Sequence, residues 1–176
     1  MRKLIPLFSL ALAALACDVS VTVQNPTVGN LPPNNNPPVI VGDMGTVTQV
    51  IDGDTIDVNI NGTEYRVRYI GMNTPERDET CYQEARDANA ALVQGQTVTL
   101  MRDVSETDRF GRLLRYVYVN GVNVNAQLVA QGFAEAAEYP PDTAQAASFR
   151  ELEAQARAAN LGCHPTGIFN DGSDTR

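Results

Sequence analysis

From Thr46 onward the chain alternates. In Thr46 to Ile51 and again in Asp54 to Ile60, apolar side chains recur at about every second position, the period of a strand with one buried face. Asn61-Gly62 follows, the strongest short-range hairpin signal, and Thr63 to Ile70 (TEYRVRYI) makes a third strand. Three strands joined this tightly form a meander. The period then lengthens: Tyr82, Ala85, Asn89, Leu92 and Val93 share one helical face, and Gly95 stops the helix. TVTLM (97–101) is a fourth strand, VSETDRFGR (104–112) a polar loop, and LLRYVYV (113–119) a fifth strand ending at Asn120-Gly121. A short helix fits NVNAQLVAQ (123–131), closed by Gly132. After Tyr139-Pro140-Pro141 a longer one runs over about 142–160, with Phe149, Leu152, Ala156 and Ala159 as its stripe and Gly162 as its stop. The order β-β-β-α-β-β-α-α predicts an α+β domain: a small, partly open five-stranded barrel of the OB type with three α-helices. The domain is bounded at 44–165, and residues 166–176 read as a loose polar tail.

The first residues obey a different rule. Arg2 and Lys3 precede an apolar run from Leu4 to Leu15, then Ala16 and Cys17. That is the make-up of a secretory signal peptide over 1–17, too short to be a spanning helix. A cysteine directly after a small residue resembles a bacterial lipoprotein cleavage site, although Ala14 stands where such sites prefer Leu. Lipidation at Cys17 and plain secretion are therefore both open. Residues 18–43, rich in Pro, Asn and Gly, read as a tether, with an edge strand at Val39–Val41 as the alternative. The expectation is an exported monomer that reaches the membrane only through an N-terminal lipid.

Charge changes the picture more than composition does. Without Arg2 and Lys3, 11 of the 13 basic residues remain, all arginine, against 21 acidic, a net charge of about −10. Such a chain is a poor general binder of phosphate backbones, so any phosphate chemistry must rest on a few placed arginines and a metal cation. If Cys17 carries lipid, Cys81 and Cys163 are left as a pair. An oxidising compartment makes a disulfide the default. Zinc is disfavoured because the chain has one histidine, His164, beside Cys163. The same position argues against a Ser-His-Asp device and marks His164 as an exposed or packing residue.

Four polar clusters interrupt the elements: Asp52-Gly53-Asp54-Thr55, Arg66 with Arg68, Asn73-Thr74-Pro75-Glu76, and Asp108-Arg109-Phe110-Gly111-Arg112. Singly, each reads as a turn, a solvated strand face or a charged loop. Together they hold the parts of metal-assisted phosphodiester hydrolysis. Asp54, Asn73 and the Thr74 carbonyl are hard oxygen donors suited to Ca²⁺. Arg68 and Arg112 suit a phosphate, and Glu76 suits a base that orients water.

The order IDGDT, RVRYIGMNTPE, TDRFGR resembles the staphylococcal (micrococcal) nuclease family, the thermonucleases, over about Gly45 to Gly162. That resemblance implies an SNase-like OB barrel with three helices. It also implies a calcium-dependent endonuclease that cleaves DNA and RNA and leaves 3′-phosphate ends. Carried over by position, Asp54 is a calcium ligand and Asp52 a supporting acid. Arg68 and Arg112 bind phosphate, Glu76 is the general base, and the Thr74 carbonyl reaches the metal. Arg109, Phe110 and Tyr139 fall where substrate-binding residues lie. Three departures stand out. Asn73 replaces a ligand aspartate and removes one charge. Arg109 and Phe110 replace lysine and tyrosine. Glu138 lies where a pocket aromatic is common. The alternative is a catalytically weak domain that binds nucleic acid or protein on a surface lipoprotein; retention of Asp54, Arg68, Glu76 and Arg112 weighs against it.

Overall fold

The computed structural model describes residues 42–170. The leader 1–17 with Cys17, and residues 18–41 and 171–176, lie outside them. In chain order the elements are β1 (Asp43–Val50), β2 (Thr55–Ile60), β3 (Thr63–Tyr69), β4 (Met72–Asn73), α1 (Tyr82–Val93), β5 (Thr97–Met101), β6 (Leu113–Val119), β7 (Val122–Asn123), α2 (Val124–Ala130), β8 (Glu135–Ala136) and α3 (Ala146–Ala158). Among the described residues, no helix is long and apolar enough to cross a membrane.

Five of these strands close into a barrel. β1, β2 and β3 form the antiparallel meander, β1 also pairs β5, and β5 pairs β6. The ring is completed by a parallel contact of β3 with β6, which sets Val67 beside Leu113 and Arg68 beside Leu114. The barrel is thus closed rather than partly open, and the fold is the OB-type α+β barrel with three helices. β1 makes closure possible because it bends. Its first half pairs with β5 and its second with β2, with a bulge between Val47 and Gln49; an extra residue there raises the local twist. Both Asn-Gly turns have both residues at positive φ, the geometry that matches the twist of the flanking strands.

The core is mostly aliphatic, with Tyr69, Tyr116 and Phe149 as its large aromatic members. Val47, Ile56, Val58, Val67, Val98, Leu100 and Val117 fill the barrel, and Leu128 and Phe149 seal it from α2 and α3. On β3, Val67 and Tyr69 are buried while Arg66 is exposed and Arg68 partly so, so both arginines leave on the other face.

Several boundaries move for physical reasons. β1 starts at Asp43, which already pairs with Leu100, so the barrel begins inside the segment read as tether. α3 starts at Ala146 rather than near 142, because Asp142 is buried and its Oδ1 accepts from the amides of Val104 (2.9 Å) and Ser105 (2.7 Å). Of the α3 stripe, Phe149 and Ala156 are buried, but Ala159 caps the helix in solvent. The tail does not loosen at 166: Ile168–Asn170 form a 3₁₀ turn that buries Phe169 against His164, with ring centroids 5.2 Å apart. His164 is itself a buried packing residue.

A disulfide joins Cys81 and Cys163 across 82 positions. It ties the N-terminus of α1 to the segment after α3, where the Cys163 amide donates to the Gly132 carbonyl (2.8 Å).

Candidate active site

The loop between β1 and β2 delivers Asp54 to the end of the barrel. Asp52 shapes that loop: its Oδ1 accepts from the Asp54 amide (3.0 Å), a local turn typical of aspartate. Asn89 on α1 braces it by donating to the Asp52 carbonyl (3.0 Å) while accepting from the buried Tyr69 hydroxyl (3.0 Å).

The Asp54 carboxylate is buried. Oδ1 accepts from the Thr55 hydroxyl (3.1 Å) and from Nη1 of Arg68; Oδ2 accepts from the amide (3.1 Å) and hydroxyl (3.0 Å) of Thr74. Burial pushes its carboxyl up from 3.8 to about 7, with Arg68 opposing and Asp52 adding to the rise. Arg68 sits opposite Thr55 in the β2–β3 register. Burial lowers its pKa, but Asp54, followed by Tyr139, Asp52 and Glu76, more than offsets this and holds the guanidinium above its ordinary value. Its Nη2 donates to Oδ1 of Asn73 (2.7 Å). Asn73 is also fully buried, at the end of β4.

Two oxygens of different residues therefore converge on one positive charge. Among the described residues, no three His, Cys, Asp or Glu side chains gather at a point, which does not suit thiolate or imidazole metal sites. An anionic oxygen and an amide oxygen that already face a cation suit a hard ion such as Ca²⁺. The donor set fits, with one formal charge at the first layer.

Beyond Arg68 lies a cleft of about 470 Å³ lined in part by Arg109, Phe110, Arg112 and Tyr139. Arg112 is oriented by Asp108, whose Oδ2 accepts from Nε (2.7 Å). Burial would raise the Asp108 carboxyl, but the Arg112 side chain and the amides of Arg112 and Phe110 outweigh it and hold it below the usual range. Phe110 is 69% exposed, with Arg109 and Arg112 at 4.7 and 5.6 Å from its ring centre, within cation–π range. The Tyr139 phenol is pushed up, first by burial and against the pull of Arg68. Glu76 is exposed on the loop after β4, fixed by reciprocal contacts with Glu79: its amide donates to Glu79 Oε2 (2.7 Å), and its carbonyl accepts from the Glu79 amide (2.8 Å).

The structure thus brings Asp54, Arg68, Asn73 and Thr74 into one bonded cluster, with Asp52 behind it, and lines the adjoining cleft with Arg109, Phe110, Arg112 and Tyr139. Arg66 is elsewhere: its Nε and Nη2 donate to Asp57 (2.8 and 2.9 Å), its partner across β2–β3. Glu138 pairs with Arg150 on α3. Asn89, Glu135 and Asp142 are site-supporting residues that the motifs do not contain. For Glu135 a signal exists in the sequence, since an acid within the apolar run Phe133-Ala134-Glu135-Ala136-Ala137 is out of place.

Gly53 makes the cluster possible. A Cβ there would lie 2.7 Å from Cβ and Oγ1 of Thr74, atoms too close to the backbone to swing aside. Gly53→Ala is expected to cost roughly 1–3 kcal/mol, as overpacking does, and to weaken the Thr74–Asp54 contacts. A thermal melt beside a divalent-cation titration of the variant checks both; unchanged values in the two measurements would contradict it.

Known proteins share this pattern. The Staphylococcal nuclease homologue family matches residues 66–163. The chain is 36% identical over 124 residues to the SPbeta prophage-derived endonuclease YokF of Bacillus subtilis, covering 66% of this chain and 42% of that protein. It is 38% identical over 124 residues to Endonuclease YncB of the same organism, covering 66% and 59%. To the Thermonuclease of Staphylococcus hyicus it is 36% identical over 117 residues, covering 63% and 69%. The first two relatives are the longer proteins, so the likeness there is to part of each. A closed OB barrel with Asp54 and Arg68 paired at its end, matched by a family over more than half the chain, leaves one assignment: the chain belongs to the staphylococcal nuclease homologue family.

Proposed function

We propose that this chain is a phosphodiester hydrolase, an endonuclease that cuts DNA and RNA with Ca²⁺ as its cofactor. The observation that carries the reading is the convergence of Asp54 and Asn73 oxygens on the Arg68 guanidinium, at the edge of a cleft that also holds Arg112. The names of the relatives, endonuclease and thermonuclease, support the same class of reaction.

Asp54, Asn73 and the Thr74 carbonyl would hold the ion, which supplies positive charge against the charge that develops on the phosphate. Arg68 faces the same Asp54 and Asn73 oxygens and the adjoining cleft, so its guanidinium would be available to bind the phosphate there. Arg112, pre-oriented through Nε by Asp108, binds the same phosphate from the cleft side. Glu76 accepts a proton from water as the water oxygen attacks phosphorus. The P–O5′ bond breaks, the 5′-oxygen leaves and becomes a hydroxyl by taking a proton from solvent, and a 3′-phosphate end remains. Phe110 and Tyr139 offer faces to the flanking nucleotide. The apolar leader with Cys17 and the disulfide support an exported protein, lipid-anchored at the cell surface or secreted.

The test is cleavage of single-stranded DNA by the purified protein with Ca²⁺ and with chelator, alongside Glu76→Gln. Nicking should need Ca²⁺ and be almost absent in the variant. Equal nicking in chelator, or full activity in Glu76→Gln, would overturn the reading.

A further inference from the structure

We infer that Glu135 belongs to the cation site: its buried carboxylate fixes the amide of Asn73 and supplies a second negative charge. The inference rests on the proposed divalent-cation site and extends it to a residue outside the polar motifs.

The starting point is the backbone. β4 and β8 pair antiparallel, and Asn73 stands directly across from Glu135. Glu135 is 5% exposed and Asn73 not at all. Strand pairing needs only the main chain, so it does not require an acid at 135. A carboxylate taken from water is costly unless it is matched by charge or hydrogen bonds, and its presence there asks for a reason.

The amide of Asn73 supplies one. Nδ2 of Asn73 donates to Oε1 of Glu135 (3.4 Å), and Oδ1 accepts from Nη2 of Arg68 (2.7 Å). An arginine can only donate and a carboxylate can only accept. Turned over, the amide would set donor against donor at Arg68 and acceptor against acceptor at Glu135. Only one orientation satisfies both neighbours, and it is the one that aims oxygen at the cation position. Without Glu135, the nitrogen of Asn73 could face that position as readily once Arg68 has turned away.

Charge gives a second reason. Asp54 is bonded directly to Arg68, and Asp52 is engaged with the Asp54 amide. Charge count among ligands tunes divalent affinity, and a neutral amide contributes none. Glu135, one layer behind Asn73, places a charge where the amide cannot. Its field already reaches this region, since after burial, and against Arg68, it joins Asp54 in raising the Tyr139 phenol. Glu135 is thus a positioning residue, acting through Asn73.

Calorimetric titration of Ca²⁺ into the purified full chain, without nucleic acid, tests this. Glu135→Gln should weaken the dissociation constant by about 10–100-fold, the usual effect of losing an outer-shell partner, while still melting cooperatively in chelator. Adding Asn73→Asp to Glu135→Gln returns a carboxylate to the site itself and should restore affinity to within about threefold of the wild type. Asn73→Asp alone is titrated beside them: a purely structural Glu135 would leave the gain from Asn73→Asp the same in both backgrounds, whereas a Glu135 that acts through Asn73 makes that gain larger in Glu135→Gln, where the new carboxylate does not face a second one. Should Glu135→Gln alone not melt cooperatively, the double variant decides. Wild-type affinity in Glu135→Gln, or a folded double variant that stays about tenfold or more weaker, overturns the role of Glu135 and leaves the calcium site standing. No saturable Ca²⁺ binding by the wild type sinks both.

Discussion

Replacing Arg68 with alanine is expected to slow cleavage by at least about 10³-fold and to destabilise the cation-free protein by about 3–5 kcal/mol. Both effects arise because one guanidinium serves two partners. Toward the cleft it is, in the proposed mechanism, a bidentate donor for phosphate; toward the barrel it is the counter-ion of Asp54, whose side chain is 1% exposed beside an Arg68 side chain at 12%. Truncation leaves Asp54 without its cation, so it must take up a proton or stay buried as an unpaired carboxylate, and the full cost is expected above pH 7. Asp54 keeps its contacts from Thr55 and Thr74, but neutral donors only partly replace a charge. The melting temperature should fall by on the order of 10 °C or more. Ca²⁺ should then stabilise the variant more than the wild type, because the ion binds only the folded state and meets no competing guanidinium.

The pH dependence has a definite sign. In the wild type, the Asp54 carboxyl is raised from 3.8 to about 7, so the folded state binds the extra proton across that window. Stability contributed by this group falls as pH rises from about 4 to 7, then levels. Without Arg68 the folded value rises further, so the decline should continue above pH 7 and the gap between the proteins should widen there. Thermal melts in chelator at pH 6 and pH 8.5 check it. A gap that is equal or smaller at pH 8.5 would show that Arg68 is not the counter-ion.

Much of this architecture was legible from local pattern. Alternation over 46–60, the two Asn-Gly turns and the helical stripe at Tyr82, Ala85, Asn89 and Val93 each depend on neighbours a few residues apart. The charged motifs were legible too, because turn residues and strand ends fix where Asp54, Arg68 and Asn73 emerge. What stayed hidden depends on pairing across long stretches. Closure of the barrel sets Arg68 beside Leu114, and no local period announces a parallel contact. The two-residue strands β4 and β8 are too short to show a period, yet they bring Asn73 and Glu135 together across 62 positions. Asp142 read as the start of the helix that follows Tyr139-Pro140-Pro141. Its carboxylate instead holds Val104 and Ser105, at the start of the loop that goes on to Phe110 and Arg112. Arg66 shares the strand face with Arg68, and its pairing with Asp57 across β2–β3 keeps it apart from the cluster.

Opening the Cys81–Cys163 bridge is expected to cost about 4.5 kcal/mol on the chain-entropy account, given the 82 positions it spans. The loss should reach the site as well as the fold. Thr74 at one end of the 74–81 loop is bound to Asp54, and Cys81 at the other end is bound to Cys163. Glu76 lies between them, with its main chain joined to Glu79 and that of Glu79 to Tyr82. Cys81 starts α1 at a φ of 73° without a side-chain cap, a conformation a non-glycine residue holds only under constraint. Freed from Cys163, that end of the loop can relax, and the Glu76 carboxylate is less well placed while Arg68 and Asp54 stay paired. Cys81→Ser with Cys163→Ser should therefore melt on the order of 10 °C or more lower and lose kcat at a temperature where it is still folded, while KM moves much less. Steady-state kinetics about 20 °C below the variant's own melting point separate the two effects. An unchanged kcat there would show that the bridge secures the domain without steadying the loop that carries Glu76.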